Sequence, residues 1–163
     1  MNPIGMAPVQ TLPCKINLQT LIAFIEMHPD ENVKMDNWLQ FNRDDETYAE
    51  AIQPTCGTVG CIAGFAYTLK MFHEQPDKHV FEEEHFGQWD GTSRSIRDCC
   101  RLLNAGYSVA DWLGLSNSDA LALFFGEWTT AKSARSEHNL GLSVFTKAQI
   151  VAELKYLLAT GKV

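Results

Sequence analysis

The stretch Thr55-Cys56-Gly57-Thr58-Val59-Gly60-Cys61-Ile62-Ala63-Gly64-Phe65-Ala66 decides how the rest of the chain is read. A polar loop broken by glycines changes abruptly into small apolar residues, the pattern of a turn feeding a buried helix. Thr58 has the side chain of an N-cap, Gly57 and Gly60 allow close backbone approach, and Ala63, Gly64 and Ala66 leave a thin helix face for tight packing. The central helix is therefore expected from about Val59 to Phe72. Ile62, Phe65, Ala66 and Leu69 form its continuous apolar face, and Gln75-Pro76-Asp77 closes it.

Other helices are expected on both sides of this one. Leu18, Leu21, Ile22 and Ile25 recur at helical spacing, with Asn17 as the expected N-cap and His28-Pro29 as the stop. Val33 to Phe41 fits neither period and reads as a packed irregular stretch or short strand. Asn42 to Pro54 has room for one helical turn around Tyr48, Ala49 and Ile52. Ser95 to Leu103 reads as a helix. Ser108 caps a short one that stops at Gly114, and Ser116 to Asp119 opens the next through Leu121, Phe124 and Phe125. Thr146 and Gln149 make a capping box for the last helix, lined by Ile150, Val151, Leu154, Leu157 and Leu158 and ended by Gly161. The expected fold is mainly α: a single compact helical domain over 14–163, with irregular loops, room for a short hairpin and a proline-broken arm over 1–13.

Length and composition narrow the function classes. The 163 residues suit one domain, and 45% hydrophobic with 20% charged residues is globular usage. Thirteen Lys and Arg against twenty Asp and Glu give −7, which argues against general binding to a nucleic-acid backbone. No apolar run is long enough to span a bilayer, the N-terminus has no signal-peptide pattern, and five cysteines fit reduced thiols. A cytoplasmic protein without membrane association is expected.

Met27-His28-Pro29, Met35 with Trp38, Cys56-Gly57-Thr58-x-x-Cys61-Ile62-Ala63-Gly64-x-Ala66, Trp112-Leu113-Gly114-Leu115 and Ala122-Leu123-Phe124 together resemble a family of small, mostly uncharacterised phage and bacterial proteins. The resemblance runs from the first helix to the last. Its most specific part is the Cys-Gly-Thr-x-x-Cys-Ile-Ala-Gly element, followed here by Phe65 where the family pattern has Trp. It implies a phage or bacterial setting and a fold, and it assigns no catalytic residue.

Three chemistries compete for the opening stretch. Amides of Val59, Gly60 and Cys61 at a helix start, with the Thr55 and Thr58 hydroxyls, would suit a phosphate or carboxylate. The alternative is that Thr58 only caps the helix while the glycines permit packing. Cys61 has the helix-start position of a nucleophilic thiol, yet the small residues after it point to burial, and no motif supplies a base. A zinc site fits poorly: Cys56 and Cys61 are too widely spaced for a common knuckle, and Cys99-Cys100 has no nearby His. No catalytic residue, cofactor or metal is therefore assigned. Tryptophans are core residues by default, but Trp89 and Trp128 sit in polar loops where a ring can stack on a base; Lys132 and Arg135 suit a phosphate clamp and equally suit ordinary surface charges. The expected function is non-enzymatic sequestration of a small phosphate-bearing ligand, such as a nucleotide signal of host defence, by a homo-oligomer. The expected ligand-binding residues are Thr55, Gly57, Thr58, Val59, Gly60, Trp89, Trp128, Lys132 and Arg135. The competing expectation is a protein-interaction module that inhibits a host protein, and a cysteine-dependent hydrolase stands third.

Overall fold

A computed structural model describes residues 13–35, 39–40, 46–53, 57–80, 108–124, 126, 128 and 145–163. The architecture is mainly α. Helix α1 (Lys15–Met27) leads to a 3-10 turn (Asp30–Asn32), strand β1 (Leu39–Gln40), the single turn α2 (Tyr48–Ala51), strand β2 (Val59–Gly60) and helix α3 (Ile62–Glu74). A helical segment over 108–113, here α4, is followed by α5 (Asn117–Phe124) and α6 (Lys147–Thr160). The helix expected at 95–103 and most of the arm lie outside the described residues.

Helix α3 is buried on every side: Ile62, Ala63, Gly64, Phe65, Ala66, Tyr67, Thr68, Leu69 and Met71 all lie in the interior. A helix apolar around its whole circumference has to be wrapped by others, and α1, α2 and α5 pack on this one. Its only polar member in that set, Thr68, turns its hydroxyl back to the Gly64 carbonyl at 2.9 Å.

The start of α3 departs from expectation. Its N-cap is Cys61, which makes no side-chain capping bond, so the helix begins at Ile62 rather than Val59 and Thr58 does not cap it. Val59 and Gly60 form β2, antiparallel to β1 with Leu39 opposite Gly60 and Gln40 opposite Val59. The Gly60 carbonyl also accepts the Lys34 amide at 2.9 Å, so segments from both sides of residue 36 hold Gly60 extended. These partners outweigh the local preference of a threonine for the cap. The strand pair is closed by a long connection carrying α2, not by a tight hairpin.

Helix α1 starts at Lys15 with Cys14 as N-cap, earlier than expected. Asn17 lies inside its first turn and donates from Nδ2 to the Trp112 carbonyl at 2.7 Å, while the Cys14 amide reaches the Leu113 carbonyl at 2.7 Å. These two bonds fasten the head of α1 to α4. At the other end, His28 is forced into extended backbone before Pro29, which ends the helix as expected.

Helix α6 follows its sequence signals closely. The Thr146 and Gln149 capping box is formed in both directions, and Gly161 adopts a left-handed conformation with φ of 71°. Its face of Ile150, Val151, Leu154 and Leu157 is buried against α1. Lys147, at the start of α6, reaches the end of α1, and Gly161, past its end, lies beside Pro13, before α1 begins. The two helices therefore run antiparallel. The stop at Gly114 and the start at Ser116 also form as expected, joined in a tight corner: Gly114 has φ of 70°, Leu115 donates to the Ala110 carbonyl, and the Ser116 hydroxyl accepts the Asp119 amide at the head of α5.

Candidate functional site

The residues around Gly57 form a packing joint. Gly57 has φ of 78°, a conformation that disfavours side chains and lets the chain turn sharply into β2. Thr58 is fully buried, and its hydroxyl donates to the Ala51 carbonyl at 3.2 Å, tying the loop to the end of α2. A cradle built from the Val59, Gly60 and Cys61 amides at a helix start is therefore not formed, because two of these residues belong to a strand and the third is the cap. The amides of the actual first turn belong to Ile62, Ala63 and Gly64, all interior residues. Cys61 is 3% exposed and part of the core, which is where the small residues after it had pointed.

Trp128 is also core, not a stacking platform. Its ring is 1% exposed, lies 4.5 Å from that of Phe145, and donates from Nε1 to the Leu123 carbonyl at 2.9 Å. That bond satisfies the one polar atom of the indole and fixes the chain after α5. Thr55, Trp89, Lys132 and Arg135 lie outside the described residues. The structure thus keeps Gly57, Thr58, Val59 and Gly60 together, with Thr58 and Gly60 buried and Gly57 and Val59 half-buried.

A different surface carries the concave, mixed chemistry. Along the antiparallel α1–α6 pair runs an open groove of about 400 Å³ lined by Glu26, Asp30, Lys147, Ala148, Val151, Ala152 and Lys155. Its floor is aliphatic, with acids on the α1 side and lysines on α6. Lys155 pairs with Glu26 at 2.9 Å. Lys147 donates to the main-chain carbonyls of Glu26 at 2.9 Å and His28 at 2.7 Å, and stands 3.6 Å from Asp30. It thereby serves two carbonyls that the end of α1 leaves without helical partners. Ile16 and Met27 on α1 and Tyr156 on α6 are the large apolar side chains exposed among the described residues, at 74%, 58% and 38%.

His28 sits behind this groove and is 1% exposed. Its Nδ1 lies 2.7 Å from the Phe24 carbonyl, and since a carbonyl only accepts, Nδ1 carries the proton. The ring is held between Phe24 and Phe65, at centroid distances of 4.5 and 4.9 Å, with Nε2 buried and without a hydrogen-bond partner among the described residues. Burial lowers its pKa below the ordinary 6.5, opposed by the Phe24 carbonyl and assisted by the Lys147 charge. The sequence marks His28 as part of the stop of α1, and its ring does bond a carbonyl of that helix's last turn. It gave no sign of the burial, which comes from α3.

Among the described residues, no group of three His, Cys, Asp or Glu is placed to hold a metal ion, and no helix is long and apolar enough to cross a membrane. No family model matches the chain, and neither does any curated protein or solved structure.

Proposed function

We propose that this chain is a non-enzymatic interaction module that docks a protein on the outer face of the α1–α6 pair. The observation carrying this reading is the groove between the two helices, with an aliphatic floor, a rim of balanced opposite charges and large apolar side chains exposed on the same helices. An apolar centre with a polar rim is the anatomy of a protein interface: burial supplies affinity and the charges select register. The resemblance to phage proteins suggests a phage or bacterial setting.

Phosphate-ligand sequestration loses support, because Thr58 and Trp128 spend their polar atoms on carbonyls of the fold and Gly60 is enclosed by neighbouring backbone. What remains of it rests on Thr55, Trp89, Lys132 and Arg135.

Two measurements separate the readings. Wild-type and Ala152→Arg chains, immobilised in parallel, are compared for the proteins they retain, with exposed Glu31→Gln as a control. A protein held by the wild type and the control but lost from Ala152→Arg is expected. Identical retention on all three, together with a rise in Tm of about 5 °C or more in a saturating nucleotide, would reverse the assignment.

A further inference from the structure

We infer that the partner covering the α1–α6 face is a second copy of this chain, forming a two-fold symmetric dimer. This rests on the docking reading and names its occupant.

The first reason is charge arrangement. In a two-fold interface the same patch faces itself, so it has to be complementary to its own image. Acids and bases are segregated across the groove: Glu26 and Asp30 belong to α1 and the turn after it, Lys147 and Lys155 to α6. A two-fold that lays α1 of one copy over α6 of the other places each copy's carboxylates against the other's ammonium groups. The existing Lys155–Glu26 and Lys147–Asp30 pairs then become parts of a four-acid, four-base cluster. A patch of a single sign would repel its image.

Shape gives the second reason. On α1, Ile16, Thr20, Ala23 and Met27 recur at intervals of four, three and four, all exposed, with the Thr20 hydroxyl folded back onto the Ile16 carbonyl at 2.9 Å. On α6, Ala148, Ala152, Lys155 and Ala159 are exposed at the same intervals, with Tyr156 exposed beside Lys155. One stripe thus carries large side chains and the other mostly methyl groups, so crossing α1 over α6 of another copy sets projections into depressions.

The size of the face sets the strength. Helices of 13 and 14 residues are about 20 Å long and together about 20 Å wide, a flat footprint of roughly 400 Å² that side-chain relief enlarges. Counted on both copies this is about 800 Å², below the roughly 1,200 Å² of stable interfaces and in the range of weak ones, and two chains of charge −7 repel at long range. The expected dimer is weak and concentration-dependent.

Sedimentation equilibrium of the full chain tests this. The mass is expected to approach twice the monomer value at about 100 µM and to fall on dilution. Ala152→Arg should raise the dissociation constant at least tenfold without lowering Tm. Glu26→Lys should do the same, and Glu26→Lys with Lys155→Glu should restore the dimer, because the exchange preserves opposite charges across the two-fold. A wild-type monomer at that concentration, or a dimer indifferent to Ala152→Arg, overturns the inference. If the chain is monomeric but Ala152→Arg still abolishes retention of another protein, the second copy is rejected and the docking reading stands. If neither property depends on Ala152, both fall.

Discussion

Replacing Lys147 by methionine removes the ammonium while keeping most of the aliphatic stem, so the loss reports on what Nζ does. Of its two carbonyl acceptors, Glu26 is at an exposed position where water can replace the ammonium, and the bond to the His28 carbonyl is partly buried. The His28 bond therefore dominates, at about 1.5–3 kcal/mol for a bond to a charged group. Interaction with the negative end of the α1 dipole adds about 0.3–1 kcal/mol, which repulsion from the positive end of the α6 dipole offsets by a similar amount. The contact with Asp30 is long and its carboxylate is almost fully exposed, so it adds nothing measurable. The net loss is a destabilisation of about 1.5–3 kcal/mol, or a fall in Tm of about 3–12 °C for a chain of this length. Urea unfolding followed by tryptophan fluorescence at pH 7 measures it. Lys155→Met is the internal control: its pair with Glu26 joins two exposed side chains and should cost less than about 0.5 kcal/mol. Equal losses for the two variants would refute the assignment of Lys147 as the clamp on the end of α1.

Three further outcomes follow from the site geometry. Thr58→Val removes the hydroxyl from a closed position beside the Ala51 carbonyl, and should cost about 1–2 kcal/mol in urea unfolding, with Thr58→Ser milder. Gly57→Ala places a side chain at φ of 78° and should cost about 1–2 kcal/mol, while Gly→Ala at a right-handed position would be neutral or favourable. His28 makes stability pH-dependent. Its folded pKa lies below the ordinary 6.5, so between the two values the unfolded chain binds the extra proton and stability falls as pH drops below about 6.5. The contribution is complete above that pH. Urea midpoints from pH 7.5 to 5 should fall more steeply for the wild type than for His28→Gln, and parallel slopes would remove His28 as the cause.

Elements specified within one or two turns of chain were legible in the sequence. Helix α6 carries its own start in Thr146 and Gln149 and its own stop in Gly161, so no distant residue is needed to place it. The corner at Gly114 is equally local, since the residues that bond across it are neighbours. The start of α3 was not legible for the opposite reason. Thr58 offers a good cap, but Gly60 is claimed by Leu39 and Lys34, and those bonds appear only once the intervening chain has folded back. Once Val59 and Gly60 are drawn into a strand, the cap falls to Cys61, a residue with no capping oxygen. The anion cradle then disappears, because it required the helix to begin where the threonine invited it.

The groove was hidden by distance: Lys147 and the carbonyl it bonds are 121 positions apart. One signal was nevertheless available. A lysine at the first position of a helix opposes that helix's own dipole, whose positive end lies there. Such a residue is favourable only if its charge serves something else, and the other pole nearby is the negative end of α1, reached because α1 and α6 run antiparallel. The same placement puts a base beside Asp30 and sets the alternation of acid on α1 and lysine on α6 that makes the face complementary to its own image. Clamping the end of α1 and patterning the outer face are thus two consequences of one misfit lysine. Lys147→Met should therefore weaken self-association as well as the fold, whereas Ala152→Arg should weaken self-association alone.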